Sequence, residues 1–310
     1  MKLDHPKLFI PGPTYVPQNV LDSIANPQIG HRTPEFSELM SEIVIGTKKM
    51  LYTNNRVYLT SNPATGLWEM GIKNSVEKGI LHADNGSFSS KWSTVSKMCG
   101  LSVGTISYDW GRGVRAEDVD RELSSGKYDV FAMVHNETST GVMSDLVSIS
   151  SLMKEKYPEV IWLVDAVSSM AGVKIDVDEL GIDFLLSSMQ KAWGLPAGFS
   201  VCMISDKMYE KSLSVDSKGY FFDFSIYEKY YKKMQTPSTP SIPHMYGMKY
   251  VLDNIEKEGL DNRWKRHIDM ARYTQDWAIE NGQSLFPEEG CESFTITCIS
   301  NDQDWDIEYI

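Results

Sequence analysis

The stretch "DFLLSSMQKAWGLPAG" (residues 183–198) places one lysine, Lys191, between an apolar run and a turn-forming sequence. The run "FLL" is typical of a buried strand, whereas "GLPAG" is typical of a loop. Lysine is almost never fully buried unless it has a partner, and a buried lysine shifts its pKa readily and serves in catalysis. The position of Lys191 at the end of an apolar strand therefore raises the question of a functional role.

Short apolar runs alternate with amphipathic stretches along most of the chain. The predicted strands are "RVYLTSN" (56–62), "ILHADN" (80–85), "YDVFAMVHNE" (128–137), "EVIWLVDAVS" (159–168), "DFLLSSMQ" (183–190), "FSVCMISD" (199–206) and, near the end, "ESFTITCIS" (292–300). The predicted helices cover residues 64–79, 89–100, 145–157, 245–259 and 260–282. Apolar strands separated by helices predict an α/β fold with a mostly parallel sheet that is buried on both faces.

Composition limits the classes of partner. The 310 residues carry a formal net charge of −12, which disfavours binding to nucleic acid or to an anionic membrane. The four cysteines show no metal-ligand spacing, and no apolar run reaches the length of a membrane helix. We therefore expect a cytoplasmic protein whose partners are small molecules or a second copy of the chain.

Unusual residues follow several of the predicted strands. These segments are "SNPATG" (61–66), "DNGSF" (84–88), "HNETSTG" (135–141), "VDAVSS" (164–169) and the loop that carries Lys191. Taken singly, each has a structural explanation, such as a helix cap, an ion pair or an exposed loop cation. The carboxyl ends of parallel strands meet at one edge of a sheet, however, and ligands of open α/β sheets bind there. The segments together therefore predict one binding site.

One buried strand ends in an acid, Asp165, and the next ends near Lys191. This pair suits pyridoxal phosphate, which needs an amine for its aldehyde and a carboxylate for its ring nitrogen. The sequence resembles the class V aminotransferases of the pyridoxal-phosphate fold-type I superfamily, nearest the alanine–glyoxylate and serine–pyruvate group. The motifs that carry the resemblance are "PGPT" (11–14), "GHRTPEF" (30–36), "HNETSTG", "LVDAVSSMAG", "SSMQKAWGLPAG" and "TPSTPSIPHMYGM" (236–248).

The resemblance implies a role for each matching residue. Lys191 would hold the cofactor as a Schiff base and then move the proton between the substrate α-carbon and the cofactor. Asp165 would pair with the protonated ring nitrogen, and Phe88 would stack on the ring, although a plain core role for Phe88 stays open. Thr138 would lie near the phenolic oxygen, and Gln190 near the phosphate.

The phosphate loop departs from the family pattern, which is roughly Ser-Gly-Ser-Gly-Thr/His. Here Pro63, Ala64 and Thr65 precede the helix, and Pro63 offers neither an N–H nor a hydroxyl. Backbone N–H groups, the Thr65 hydroxyl and the helix dipole can still bind a dianion. In the family a partner subunit also reaches the phosphate. The matching segment, "QTPSTP", makes Thr239 the best candidate and Gln235 a weaker one, so a homodimer is implied.

The predicted organisation is an N-terminal arm (1–20), a large cofactor-binding domain (21–240), and linking helices with an incomplete small domain (241–310). Relatives continue for some tens of residues and supply an arginine that binds the substrate carboxylate, so the chain is expected to be C-terminally truncated. The arginines after Lys191 lie on one predicted helix and are interpreted as a solvated face: Arg263, Arg266 and Arg272. Arg32, in "GHRTPEF", is a candidate substitute.

The leading hypothesis is a transaminase that moves an amino group from a small amino acid, such as alanine or serine, to glyoxylate or another 2-oxo acid. A second hypothesis is a protein that binds pyridoxal phosphate but turns over weakly, because it lacks the carboxylate site. A third is a lyase such as a cysteine desulfurase, which is disfavoured because no cysteine lies in an obvious mobile loop after Lys191. A Rossmann dehydrogenase is disfavoured because no Gly-x-Gly-x-x-Gly follows a strand.

Overall fold

A computed structural model describes residues 8–306, so the first seven residues of the predicted arm and the last four of the predicted C-terminal unit lie outside it. The helices are α1 Gln18–Ile24, α2 Pro34–Met50, α3 Ala64–Lys73, α4 Ser87–Met98, α5 Ala116–Leu123, α6 Leu146–Lys156, α7 Val177–Leu180, α8 Asp206–Ser214, α9 Phe224–Tyr231, α10 Ile242–Glu258 and α11 Leu260–Glu280. The strands are β1 Arg56–Thr60, β2 Ile80–Asp84, β3 Val103–Ser107, β4 Val130–Val134, β5 Asn136–Glu137, β6 Val142–Met143, β7 Ile161–Asp165, β8 Phe184–Ser188 and β9 Ser200–Ile204.

A seven-stranded sheet with the order β1-β9-β8-β7-β4-β2-β3 forms the centre of the molecule. Strand β9 pairs antiparallel with both of its neighbours, and every other neighbouring pair is parallel. Strands β5 and β6 form a separate antiparallel pair. The prediction of an α/β fold with a mostly parallel sheet is therefore confirmed.

Helices cover both faces of the sheet, which explains the unbroken apolar runs of its strands. Successive side chains of a strand point to opposite faces. In β7, Trp162 and Val164 join a core that includes Phe36 of α2, while Leu163 joins a second core that includes Leu67 of α3. Every residue of β4, β7, β8 and β9 is buried as a result.

The predicted strands before residue 210 are all present, but some boundaries differ from the prediction. The first predicted helix, now α3, ends at Lys73 rather than Gly79. It ends there because the Asn74 side-chain amide donates to the Met70 carbonyl at 2.8 Å and the Ser75 hydroxyl donates to the Gly71 carbonyl. The predicted strand 128–137 divides into β4 and the short β5. The edge strand β3 was not predicted, since most of its side chains are not buried and its sequence is not strongly apolar.

The predicted strand at 292–300 is wrong. Only isolated bridges form there, from Glu292 to Val142 and from Ile299 to Leu285. The Ser293 hydroxyl accepts the backbone N–H groups of Thr295 and Ile296, at 3.0 and 3.2 Å, and so occupies donors that a strand ladder would use. This local side-chain turn competes with strand pairing and explains the failure of the alternating pattern.

The two long C-terminal helices were predicted correctly and pack in different ways. Helix α10 lies against α1 and α2, where Met248 and Leu252 enter the core. Helix α11 is largely exposed along its outer side and contributes Trp264 to the same core. Among residues 8–306, no helix is both long and apolar enough to span a bilayer.

Candidate active site

Several strands direct their carboxyl ends toward a single cavity of about 290 Å³. It is lined by Gly12, Pro13, Pro63, Ala64, Thr65, Trp68, Phe88, Lys91, Val134, Asn136, Thr138, Asp165, Val167, Ser168, Gln190, Lys191 and Ala197. The structure thus brings together most of the residues that the sequence singled out. Thr239, Gln235 and Arg32 do not line the cavity.

Lys191 lies in a tight loop immediately after β8. The loop closes where Gly194, at a φ of +68°, donates its N–H to the Lys191 carbonyl at 2.8 Å. The Lys191 side chain is half-buried, and burial lowers the pKa of its amine, while the Asp165 carboxylate opposes that change. A lowered pKa increases the fraction of neutral, nucleophilic amine at neutral pH.

The segment that carries "PGPT" crosses directly over Lys191. The Lys191 Nζ donates a hydrogen bond of 2.7 Å to the Pro11 carbonyl, and Thr14 N–H donates to the Gln190 carbonyl at 2.9 Å. A Cβ on Gly12 would lie 2.7 Å from Lys191 Nζ and 2.9 Å from its Cε, at a φ of +141° that favours glycine. Only glycine at this position allows the backbone to lie against the lysine side chain.

Asp165 ends β7 and is buried, with 4% of its surface exposed. Its Oδ2 accepts the indole N–H of Trp68 at 2.6 Å, and its Oδ1 accepts the backbone N–H of Val167 at 2.8 Å. Burial raises the pKa of Asp165 to about 6, although these two N–H groups and Lys191 act in the opposite direction. The carboxylate is therefore costly in this cavity without a cationic partner.

The amino end of α3 provides the predicted anion site. Pro63 stands at the cap position with a φ of −70°, and no side chain caps the first turn. The backbone N–H groups of Ala64 and Thr65 belong to the first turn of an α-helix, whose early N–H groups have no partner within the helix, and both residues line the cavity.

Unpaired polar atoms provide a test of whether a polar ligand fits. Within the described part of the chain, Gln190 Oε1 and Asn136 Oδ1 are buried without a hydrogen-bond partner, and both residues line the cavity. Buried polar atoms normally have a partner in the functional state. These unpaired oxygens indicate that the cavity accommodates a polar ligand, and its amine, carboxylate and helix amino end match the aldehyde, ring nitrogen and phosphate of pyridoxal phosphate.

Phe88 and Thr138 both line the cavity. Phe88 lies in the first turn of α4 and is 38% exposed, so its ring is available to a ligand. The buried Glu137 carboxylate accepts the backbone N–H groups of Phe88 and Ser89, at 3.3 and 3.0 Å, and so fixes where α4 begins. The Thr138 hydroxyl lies 2.5 Å from the Ser168 hydroxyl.

Some residues of the cavity were missed from the sequence. Trp68 was interpreted only as part of a helix, yet it lies one turn after Ala64 and on the same face of α3. Asn136 lies inside the "HNETSTG" motif, where only Thr138 was singled out. Ser168 and Lys91 also line the cavity, and Lys91 lies one turn after Phe88. Helical spacing from the predicted residues could have identified Trp68 and Lys91.

The interpretation of Arg263 as part of a solvated face is wrong. Arg263 is buried, and its guanidinium donates to the carbonyls of Ala171 and Ala192, at 2.6 and 2.9 Å. It therefore ties α11 to the loop that carries Lys191. Arg266 and Arg272 are both exposed, as predicted, and Arg266 pairs with Glu258.

The Arg32 guanidinium makes its hydrogen bonds outside the cavity. Its guanidinium donates to the carbonyls of Thr236 and Pro237, at 2.7 and 3.2 Å, and lies 4.8 Å from the centre of the Tyr230 ring. Thr239 belongs to the segment that Arg32 holds and lines a separate pocket of about 110 Å³. In this chain Arg32 thus orders the "QTPSTP" segment.

The cysteines do not support a desulfurase site. Cys202 is buried in β9, and the other three are partly buried: Cys99, Cys291 and Cys298. Among the described residues that line the cavity, none is a cysteine. A persulfide-forming cysteine would have to reach the cavity.

Comparison with known proteins places the chain in a family. Residues 8–302 match the model of the family described as aminotransferase class-V, so the chain belongs to the class V aminotransferases. It is a transaminase of fold-type I, and its cofactor is pyridoxal phosphate.

Individual relatives agree with this assignment. An uncharacterized aminotransferase of Methanocaldococcus jannaschii is 35% identical over 306 residues, covering 96% of this chain and 78% of that protein. Serine–glyoxylate aminotransferase of Arabidopsis thaliana is 32% identical, covering 88% of this chain and 71% of that protein. The crystal structure of alanine–glyoxylate aminotransferase from Nostoc sp. superposes with a TM-score of 0.93 at 29% identity, covering 100% of this chain and 84% of that chain.

Proposed function

We propose that the protein moves an amino group from a small amino acid, such as alanine or serine, to glyoxylate or another 2-oxo acid. The observation that carries the proposal is that one cavity holds both the Lys191 amine and the Asp165 carboxylate. The printed names of several relatives, which include serine–, alanine– and aspartate–glyoxylate aminotransferases, support the same acceptor.

Lys191 is the proposed covalent attachment point and general acid–base group. Its amine has a lowered pKa, so it can attack an aldehyde and later accept a proton from the substrate α-carbon. The Pro11 carbonyl, 2.7 Å from Nζ, gives the amine a defined position whenever it is free. A proton transfer needs such a fixed position, because a small displacement of the base lowers the rate.

Asp165 is the proposed partner of the cofactor's ring nitrogen. When bound, pyridoxal phosphate supplies an electron sink for the negative charge that develops on the substrate α-carbon. The ring nitrogen must be protonated for this purpose, and an ionised Asp165 beside it stabilises that proton. In this proposal the Phe88 ring would pack against the cofactor, and the Thr138 hydroxyl would lie near its phenolic oxygen.

The phosphate is assigned to the amino end of α3, with Ala64, Thr65 and Gln190 as donors. Pro63 fixes the entry of the chain into that helix. We also propose a homodimer in which Thr239, with Gln235 as a lesser candidate, reaches the phosphate of the partner's site. Thr239 is exposed and lies outside the cavity of its own chain, which supports a role toward a second copy.

An absorption titration tests the proposed function. The purified protein, loaded with pyridoxal phosphate, is mixed with L-alanine, L-serine or 2-aminoethylphosphonate, and the visible band is followed. We expect the band to bleach with alanine or serine and to return when glyoxylate is added, with glycine as the product. Lys191→Ala is the control and should show neither change. A band that responds to none of the amino donors would contradict the proposal.

Size-exclusion chromatography and a mixing experiment test the dimer. Lys191→Ala and Thr239→Ala each damage one element of the site. If Thr239 acts in the partner's cavity, mixed dimers contain one cavity with both substitutions and one with neither, so mixing the two variants should restore part of the activity. A monomer in solution, or no recovery on mixing, would refute the shared site.

A further inference from the structure

The indole of Trp68 is directly attached to the carboxylate at the base of the cavity. Its N–H donates to Asp165 Oδ2 at 2.6 Å, and the two side chains are 3% and 4% exposed. The other oxygen accepts the Val167 N–H at 2.8 Å. Each oxygen therefore has one fixed donor and one remaining site for a ligand.

A second tryptophan holds the indole in place. Trp92 of α4 stacks on Trp68 with ring centres 5.9 Å apart and an interplanar angle of 15°. Trp92 is fully buried, and within residues 8–306 its own indole nitrogen has no hydrogen-bond partner. The two rings thus differ in function. Trp92 holds the Trp68 ring by packing alone, whereas Trp68 also donates a hydrogen bond to Asp165.

Asp165 faces charged groups from two other segments. Burial is the main cause that raises its pKa to about 6, and the Glu137 carboxylate adds to the rise. The Val167 and Trp68 N–H groups lower it, and so does the Lys191 amine. The Trp68 donor is therefore one of a few groups that keep this carboxyl ionised near neutral pH.

We propose that Trp68 is a positioning residue that fixes one oxygen of Asp165 and keeps the carboxylate ionised, so that it can pair with a protonated ring nitrogen. This inference rests on the proposed role of Asp165. A hydrogen bond to the charged form favours that form, and a short bond in a buried site does so strongly. Without the donor, the shared proton moves from the ring nitrogen toward the carboxylate.

The first test uses the protein without cofactor and needs no substitution in the main sample. Tryptophan is labelled with ¹⁵N, and the indole N–H resonances are followed from pH 5 to 8. We expect the Trp68 resonance to titrate together with Asp165, with a midpoint near 6, and the Trp92 resonance to stay constant. Asp165→Asn should abolish the titration, which assigns it. The absence of any titrating indole resonance would overturn the inference.

A matched pair of variants provides the second test. Trp68→Phe removes the N–H donor and keeps an aromatic ring, whereas Trp92→Phe shortens the stacked partner without removing a hydrogen bond. In the apoprotein, Trp68→Phe should raise the Asp165 pKa. Each unit of this rise should lower the folding equilibrium constant about tenfold at pH 8, when the constant is compared with its value at pH 5. The effect of Trp92→Phe should be the same at both pH values.

The third test separates this inference from the proposed function. Pyridoxal phosphate labelled with ¹⁵N is bound to each protein, and the ring-nitrogen shift reports its protonation at pH 7.5. The wild type and Trp92→Phe should show a protonated ring, and Trp68→Phe should show a smaller protonated fraction. If the wild type binds no cofactor, the proposed function fails. If the wild type binds it and both variants give the wild-type shift, only the role of Trp68 is refuted.

Discussion

Replacing Asp165 by asparagine should separate the stability of the apoprotein from its affinity for the cofactor. Burial raises the pKa of Asp165 from an ordinary value of 3.8 to about 6. The folded state therefore holds the proton more tightly than the unfolded state, so stability is highest at low pH. It falls as pH rises from 3.8 through about 6, and the full cost of the ionised carboxylate applies above that value.

The size of this cost follows from the change in pKa. One pKa unit corresponds to about 1.4 kcal/mol, so the ionised carboxylate costs about 1.5 kcal/mol at pH 5 and about 3 kcal/mol at pH 8. Asparagine does not ionise and carries no such cost. It accepts at one oxygen only, so either the Trp68 or the Val167 N–H loses its acceptor, which costs about 1–3 kcal/mol at any pH.

Urea unfolding of the apoproteins at pH 5 and pH 8 measures the difference. Relative to the wild type, Asp165→Asn should gain about 1.5 kcal/mol of unfolding free energy between the two pH values. Its cofactor affinity at pH 8 should fall by about 3–5 kcal/mol, the loss typical of a buried pair that has lost one partner. A difference that does not change with pH would refute the electrostatic account of the cavity.

Three further substitutions test the surroundings of Lys191 and the cofactor. Gly12→Ala should slow formation of the cofactor–lysine bond, measured by stopped-flow absorbance, because its Cβ would lie within 2.9 Å of the Lys191 Nζ, Cδ and Cε atoms; bond formation at the wild-type rate would contradict this geometry. Arg263→Met should destabilise the fold by about 1.5–3 kcal/mol in thermal unfolding, since two backbone carbonyls lose a charged donor, and Arg272→Met is the exposed control. Equal effects of the two arginine changes would argue against the buried role. Phe88→Ala should weaken cofactor binding by about 1–3 kcal/mol in an equilibrium titration, on the scale of a base stacked on an aromatic ring; unchanged affinity would return Phe88 to a packing role.

The buried strands could be predicted because their physics is local. An apolar run such as that of β8 is stable only when it is buried between two layers of helices. Its own residues therefore predict where it lies. The strand ends could then be assembled from topology, since parallel strands bring Asp165 and Lys191 to one edge. The resemblance to a known family added Phe88 and Thr138, which also line the cavity, but not Trp68 or Lys91.

Two of the features that sequence reasoning missed depend on contacts distant in sequence, and a third depends on a local side-chain hydrogen bond. Arg263 lies on a polar helix, and only the approach of the Ala171 and Ala192 carbonyls explains its burial. The bond between Trp68 and Asp165 joins residues 97 positions apart, and no local pattern indicates it. At Ser293, a side-chain hydroxyl outcompeted an alternating pattern that is otherwise typical of a strand.

The most direct test of the central claim is to identify the lysine that binds the cofactor. The loaded protein is reduced with borohydride and digested, and the labelled peptide is sequenced by mass spectrometry. The account predicts that the reduced cofactor lies on Lys191 alone, and that Lys191→Ala carries none. Cofactor found on another lysine, such as Lys91 at the same cavity, would contradict it.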